Sequence, residues 1–301
     1  MSLIKGQATL ERGLRAEFQK ALQYQPNPIL DSLFMNINST GADEKYGWLG
    51  AVDSLVEWKD EKTVKSVIDH TYTVVNTPYE ATIGVDRFDL ADDSVGGAFM
   101  RTRDLTIRGR MFPQKLLLET IIANPTCYDG KAFFANDHEE GDSGAQDNLL
   151  TGTGVTIATI TADFRAAVAA MLGFKDSAGE PIFETDVNMN LVVVCPTGLY
   201  GVFQELQNAA VISNTTNTIK GTFDLVPSSR LTGDDANDWY LFSASPMAKP
   251  FIKQERDPLA FAALEGDSDI GFTKRTYLYS VTWRGKIAVG FWQSAVKTTN
   301  T

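Results

Sequence analysis

Residues 95–124 carry the pattern that most restricts the fold, because they predict one long helix. At about 1.5 Å per residue, an unbroken helix of this length would extend about 45 Å. Gly109 and Pro113 interrupt the pattern. Since proline cannot donate to the helical hydrogen-bond ladder, we expect a kink or joint near residues 109–112. The acidic run at residues 92–94 is typical of a helix N-cap.

A shorter amphipathic helix is predicted over residues 9–23. Leu10, Leu14, Phe18 and Leu22 recur every four residues and therefore share one face, with polar side chains opposite. This apolar stripe needs a surface to pack against. Two interpretations stay open: a helix of the chain's own core, or an arm on a neighbouring subunit, in which case Leu14 and Phe18 are candidate inter-subunit contacts.

Strand patterns dominate much of the remaining chain. Residues 71–75 and 79–85 predict a hairpin, and residues 277–292 predict another with its turn at Arg284–Gly285. A helix is predicted over residues 161–173, capped by Thr161. Between these segments we predict strands at residues 189–195, 222–226, 239–243 and 251–255, and a helix over residues 197–210. Helices and strands in this order indicate the α+β class.

Acidic side chains outnumber basic ones in this 301-residue chain, 38 against 27, for a net charge of −11. This excess argues against sequence-specific recognition of DNA or RNA, which needs a basic face. The apolar run at residues 191–195 is far shorter than the roughly 20 residues of a membrane-spanning helix. Residues 1–6 lack the apolar region of a signal peptide, so we expect a protein of the reducing cytoplasm.

Few patterns point to catalysis or metal binding. Residues 137–142 combine a histidine with several acids, but adjacent side chains on a loop diverge, so a solvated acidic loop is favoured over a metal site. A metal-dependent hydrolase using His138, Glu139 and Asp142 is the enzyme alternative. Phosphate-binding glycine loops and nucleophile-elbow motifs are absent from the sequence. We therefore expect no enzyme activity, no catalytic residue, no cofactor and no metal.

Basic residues are concentrated on the predicted long helix. Arg101 and Arg108 share one face, and Arg103 and Arg110 lie about 160° around the helix from them. These charges either pair with acidic segments of neighbouring subunits or are simply solvated, and the second interpretation is favoured because exposed ion pairs contribute little. The further candidate inter-subunit contacts are Arg101, Arg103, Arg108, Arg110, Trp58, Lys59, Asp60 and Glu61.

The order of these segments resembles that of a known family of shell proteins. The similar segments are residues 47–50 (GWLG), 57–58 (EW), 79–87 (YEATIGVDR), 92–96 (DDSVG), 133–138 (FFANDH), 283–286 (WRGK) and 291–292 (FW). They resemble the major capsid proteins of tailed phages, which have the Hong Kong 97 fold, and more specifically the Mu-like phage major head subunits. The resemblance covers nearly the whole chain.

The resemblance implies a tailed-phage capsid fold with five regions. These are an N-terminal arm (1–43), an extended loop (44–92), a peripheral domain with a long spine helix (93–186), an axial domain (187–255) and a return to the peripheral domain (256–301). The extended loop would reach over an adjacent subunit, and the axial domain would pack around five- and six-fold centres.

The function implied is that of a major capsid protein, which self-assembles into the icosahedral head of a tailed phage or prophage and encloses double-stranded DNA. Implied partners are further copies in pentamers and hexamers, scaffold and portal proteins, and decoration proteins. DNA contact is expected to be nonspecific only, because the charge of −11 repels DNA. The expected location is the virion, after assembly in the host cytoplasm. A nanocompartment or prophage-derived particle of related fold is the alternative.

Overall fold

The computed structural model describes residues 2–47, 72–86, 96–183, 189–212, 214–246, 248–264 and 276–300, with side chains from residue 12 onward. Its helices are α1 (Ser2–Ala21), α2 (Pro28–Ser32), α3 (Gly97–Ala123), α4 (Ile157–Gly173) and α5 (Tyr200–Asn208). Its strands are β1 (Phe34–Asn38), β2 (Asp43–Lys45), β3 (Thr73–Val75), β4 (Thr77–Asp86), β5 (Leu149–Thr151), β6 (Leu191–Pro196), β7 (Val211–Ile212), β8 (Thr215–Thr216), β9 (Phe223–Ser228), β10 (Trp239–Ser243), β11 (Phe251–Leu264), β12 (Thr276–Val289) and β13 (Ala295–Thr299). The predicted α+β class is confirmed.

Most strands belong to two mixed sheets. The four-stranded sheet has the order β1-β11-β12-β4, and the five-stranded sheet has the order β5-β13-β10-β6-β9. In the second sheet β6 is parallel to β9 and antiparallel to β10, and β10 is antiparallel to the last strand, β13. The C-terminal strand therefore joins the sheet built mainly from residues 187–255.

The five-stranded sheet forms the centre of the main core. Every residue of β6 and β10 is buried. Such continuous apolar runs are expected where a strand is covered on both faces. Helix α4 contacts β13, and helix α5 contacts β9. Phe164 of α4 and Phe203 of α5 lie against Trp239 of β10, with ring centroids 6.4 and 5.3 Å apart.

Helix α1 packs on its own chain. Leu14 is fully buried in a small apolar cluster with Val85 of β4 and Tyr279 of β12. Phe18 is 4% exposed and lies 5.2 Å from the ring of Phe261 in β11. Leu14 and Phe18 are therefore core residues, and the interpretation of these two side chains as inter-subunit contacts is wrong.

Helix α3 runs without a break from Gly97 to Ala123. Of the kink or joint predicted near residues 109–112, the joint is therefore wrong, and the kink stays a prediction. Pro113 lies inside the helix and is buried. The residue four positions earlier, whose carbonyl loses its donor, is Gly109. The side chain of Leu259 from β11 occupies the space beside Gly109, 2.9 Å from where a Cβ would lie. The hydrogen bond from residue 113 to the Gly109 carbonyl is missing, but both residues are packed against the rest of the protein. This packing therefore holds the two halves in one helix.

The ends of two helices differ from the predicted ones. The N-cap of α3 is Gly96, with φ of 73°, and residues 92–94 lie outside the described part of the chain. Helix α4 begins earlier than predicted, because its N-cap is Thr156 and not Thr161. The hydroxyl of Thr156 accepts a hydrogen bond from the backbone of Thr159 at 3.3 Å. Helix starts are set by such local bonds, which several threonines in this segment could equally supply.

The predicted hairpin of residues 71–75 and 79–85 is not formed. Strand β3 pairs with β2, whereas β4 pairs with β12 in the four-stranded sheet. The residue between the two strands, Asn76, is buried, and its side-chain nitrogen donates to Ser39 Oγ at 2.7 Å and to the Gly41 carbonyl at 3.0 Å. These bonds fix Asn76 where the chain leaves the β2–β3 ladder and enters the four-stranded sheet, so the chain does not reverse at Pro78.

The predicted C-terminal hairpin is also wrong, because β12 continues straight through Arg284 and Gly285. Gly285 lies opposite Glu255 of β11 and Thr77 of β4. A Cβ at this position would lie 2.3 Å from the backbone oxygen of Gln254. The glycine therefore permits a close approach between strands. The Arg284–Gly285 pair, which resembles a turn in the sequence, is explained by this approach and not by a reversal of the chain.

Replacing Gly285 by alanine should destabilise the fold. The new methyl group would collide with the Gln254 carbonyl and with the ring of Trp283, and overpacking of this kind costs about 1–3 kcal/mol. Urea unfolding measures the loss. Gly201→Ala is the matched control, because no atom lies within 4 Å of the added carbon and helix α5 should gain up to about 1 kcal/mol. Equal free energies of unfolding for the two variants would contradict the close approach of Gly285 to the Gln254 carbonyl.

Candidate assembly surface

The exposed basic residues of α3 are the predicted candidates that the structure places at the surface. Arg101, Arg103 and Arg108 are exposed, and within the described part of the chain they have no ion pair. Arg110 is half-buried, and its Nε donates to the backbone oxygen of Tyr24 at 3.2 Å. Residues 58–61, which contain the other predicted contacts, lie outside the described residues.

The side of α3 that faces the protein interior makes the contacts that fix how the helix is rotated about its own axis. Gln114 is buried, and its Nε2 donates to the Asn27 carbonyl at 2.7 Å and to Asp31 Oδ1 at 2.8 Å. Leu117 and Ile121 of the same face join the main core. Because these contacts anchor the inward face, Arg101 and Arg108, which lie on the other side of the helix, must face solvent in the isolated chain.

The C-terminal half of α3 differs, because its charges are paired. Glu119 lies 3.7 Å from Lys115 and 3.3 Å from Arg230. All three side chains are more than 40% exposed, so each pair contributes little to stability. The unpaired positive charge of the helix is thus concentrated in its N-terminal half.

An apolar cavity of about 250 Å³ opens beside Arg108. Tyr79 of β4, Phe112 of α3 and Trp283 of β12 line it, with the Tyr79 and Trp283 rings stacked at 5.6 Å and Phe112 edge-on to Tyr79 at 4.8 Å. Sequence reasoning missed this cavity because its three aromatic residues come from three distant segments, and no local pattern joins them.

A network of buried polar side chains fixes the two ends of the segment between residues 47 and 72. Gln254 is buried in β11, and its Oε1 accepts from the Tyr46 hydroxyl at 2.5 Å while its Nε2 donates to Asn76 Oδ1 at 2.8 Å. The backbone nitrogen of Tyr46 donates to the Tyr72 carbonyl at 2.8 Å. Burial raises the pKa of Tyr46 to about 12, so its hydroxyl stays a donor at neutral pH.

The acidic loop at residues 137–142 is partly internal, so its interpretation as a wholly solvated loop is wrong. His138 is fully buried, and its ring stacks on Trp292 with centroids 4.1 Å apart. His138 Nδ1 lies 2.5 Å from Asp129 Oδ2, and the Asp129 side chain is 1% exposed. Glu140 is also buried, and its Oε1 accepts from Trp292 Nε1 at 2.9 Å. The cluster fastens this loop to the C-terminal segment.

In this loop the three residues of the alternative function, a metal-dependent hydrolase, do not face a common site. His138 faces the core, whereas Glu139 and Asp142 are exposed. Across the described ranges, no group of three or more His, Cys, Asp or Glu side chains is arranged to hold a metal ion. Burial raises the pKa of the Cys127 thiol well above its usual value, so Cys127 is not an activated nucleophile. None of the described helices is long and apolar enough to cross a membrane.

The family model of the Mu-like prophage major head subunit gpT matches residues 7–160 and 226–301, which is more than half of the chain. The chain belongs to this family. The resemblance to Mu-like major head subunits is therefore confirmed, and with it the role of a capsid subunit of a phage head.

Two curated relatives agree with membership of the head-subunit family. The major capsid protein of Escherichia phage Mu is 24% identical over 286 residues, which cover 94% of this chain and 70% of the relative. The Mu-like prophage FluMu major head subunit of Haemophilus influenzae is 24% identical over 262 residues, covering 86% of this chain and 62% of that protein.

A solved structure supports the fold of this head subunit. A chain of the procapsid of bacteriophage JBD30 superposes with a TM-score of 0.59 at 23% identity, over 100% of this chain and 76% of that one. The predicted tailed-phage capsid fold is therefore confirmed.

Replacing His138 by phenylalanine should destabilise the head subunit. The new ring keeps the stack on Trp292, but Asp129 Oδ2 loses its partner, while Oδ1 still accepts from the Lys131 backbone nitrogen. Leaving a buried hydrogen-bonding atom without its partner costs about 1–3 kcal/mol. Chemical unfolding measures the loss, and the double variant Asp129→Asn/His138→Phe should recover part of it. An equal loss in both variants would show that the Asp129–His138 pair is not what stabilises the loop.

Proposed function

We propose that this chain self-assembles, through pentamers and hexamers, into the closed icosahedral head of a Mu-like phage or prophage and encloses its double-stranded DNA. The family match on both sides of residues 161–225 is the observation that carries this proposal. Within the shell the protein acts as a structural subunit and not as an enzyme. Its place is the capsid of the virion, after assembly in the host cytoplasm.

The two sheets support a division of labour within the subunit, with boundaries that differ from the expected ones. Strand β5 and helix α4 lie within residues 93–186, and β13 lies within residues 256–301, but all three belong to or pack on the five-stranded sheet. The four-stranded sheet and α3 serve as the peripheral region, with α3 as the spine. The five-stranded sheet with α4 and α5 serves as the axial region around the symmetry axes, and β13 completes its sheet. Within the expected extended loop, residues 44–92, the strands β2, β3 and β4 pair inside their own subunit. Residues 48–71 therefore act as the part that reaches a neighbouring subunit, held at its base by the β2–β3 ladder.

The net charge of the chain supports an enclosing role. A wall with a charge of −11 per subunit repels packaged DNA, so contact with the genome stays nonspecific. Scaffold, portal and decoration proteins are the further partners that the family resemblance implies. A nanocompartment or another prophage-derived particle uses a related fold, but the match to head subunits favours the phage head.

Deletion of residues 48–71 should leave a folded subunit that does not form shells. The deletion is sterically simple, because Tyr46 and Tyr72 are hydrogen-bonded neighbours and a short Gly-Ser turn can join the two sides. The β2–β3 ladder and the Gln254 network remain intact. Sedimentation velocity and negative-stain electron microscopy should show shells for the wild type and only subunits or capsomers for the deletion.

Thermal unfolding provides the folding control, since the deleted protein should keep a cooperative transition close to that of the wild type. Shells of normal size from the deleted protein would refute the bridging role of this segment. If the wild type also stays a small particle at every concentration and salt tested, the proposed self-assembly itself is refuted.

A further inference from the structure

Helix α3 is apolar on two sides, although the described chain covers only one of them. Met100, Met111 and Ile122 lie on the outer side and are 63%, 45% and 37% exposed. Single exposed apolar side chains are ordinary. These three, however, lie in a row on one helix, and Ile107 and Leu118, both half-buried, fall between them. Leu118 also packs against the main core, so the uncovered part of the row is its N-terminal part and Ile122.

The spacing of this row is that of a helix-packing seam. Successive members, Met100, Ile107, Met111, Leu118 and Ile122, are seven, four, seven and four residues apart. At 100° per residue they stay within about 60° of one another over about 33 Å of helix. An apolar repeat of eleven residues made of seven and four is a pattern by which one α-helix packs along another.

Positive charge flanks the seam. Arg103 lies on one side, and Arg101 and Arg108 lie on the other, all exposed and without an ion pair among the described residues. One exposed acid, Asp104, lies within the arc of the seam, so these four side chains carry a net charge of +2. The helix holds five basic and two acidic residues, in a chain whose net charge is −11. A helix that docks on the seam would therefore need acidic residues beside its own apolar stripe.

We propose that the outer face of α3 binds an acidic amphipathic helix of a partner protein other than this chain. The described helices of a second copy do not fit this requirement. Helix α4 holds one acid, Asp163, which is buried, and α5 holds only Glu205. The outer side of α1 exposes Arg12, Arg15 and Lys20 and would repel α3.

The methionines of the seam suit such a partner. Their flexible side chains adapt to more than one packing arrangement, as at surfaces that bind helices of differing sequence. The proposal goes beyond the shell function and does not depend on it, because the same face is available on the dispersed subunit.

Peptide binding to the dispersed subunit tests the proposal. The probe is a synthetic acetylated helix with leucines seven and four residues apart and glutamates beside them. The control peptide carries lysine in place of each glutamate. By fluorescence anisotropy the acidic peptide should bind with a Kd on the order of 10 μM, and the basic peptide should not bind measurably.

Variants of the subunit locate the binding. Arg103→Glu and Arg108→Glu should each weaken binding at least about tenfold, and Met111→Asp should abolish it. Lys220→Glu, an equal charge change at an exposed site outside α3, should leave it unchanged. No saturable binding to the wild type, equal binding of both peptides, or equal affinity of the Arg108→Glu variant would overturn the proposal.

Crosslinking separates a foreign partner from a second copy. Met111→Cys can be labelled selectively with a benzophenone maleimide, because both native cysteines are buried. In particles formed by the Met111→Cys variant, and in concentrated solutions of its subunits, the label should give no crosslink between copies. When the acidic peptide is added, the label should crosslink to the peptide. A crosslink to a second copy would assign this face to self-assembly and overturn the proposal.

Discussion

The antiparallel ladder between β11 and β12 is the interaction on which the rest of the structure depends. One end, Phe251 opposite Val289, lies in the main core, and the other, Phe261 opposite Val281, lies beside the smaller cluster under α1. Helix α3 packs on the same strands and β4 pairs along β12. The ladder thus joins the part of the protein under α1 to the main core.

Irregularities in this ladder shape the surface above it. Register shifts between Glu255, Asp257 and Ala260 leave Leu259 outside the regular pairing, and its side chain fits against Gly109 of α3. That contact explains why a helix with both a glycine and a proline stays continuous. It also brings Phe112 against Trp283 and so creates the aromatic cavity beside Arg108.

Sequence patterns were sufficient where structure is local and failed where it is not. The bounds of α3 and the buried strands β6 and β10 follow from periodicity over adjacent residues. The two predicted hairpins failed because strand partners come from far along the chain, and a glycine needed for close approach looks the same as a glycine in a turn. The buried His138 was hidden in an acidic loop, since its partners, Asp129 and Trp292, lie outside that motif.

The charges of the candidate surface were easier to predict than its apolar part. Arg101, Arg103 and Arg108 follow from helical geometry alone. The exposure of Met100 and Met111 depends on which side of α3 the sheet and α1 cover, and that is decided by Gln114 and its bonds to Asn27 and Asp31. A subunit of this kind combines a rigid inward face with an outer face left for partners, as assembly into several environments requires.

A cryo-electron microscopy reconstruction of particles formed by the purified protein tests the central claim most directly. We predict a closed shell of symmetric rings, with the five-stranded sheet near the ring axes and residues 48–71 crossing from one subunit to the next. A reconstruction in which residues 48–71 pack only on their own subunit, or a protein that forms no rings, would contradict this claim.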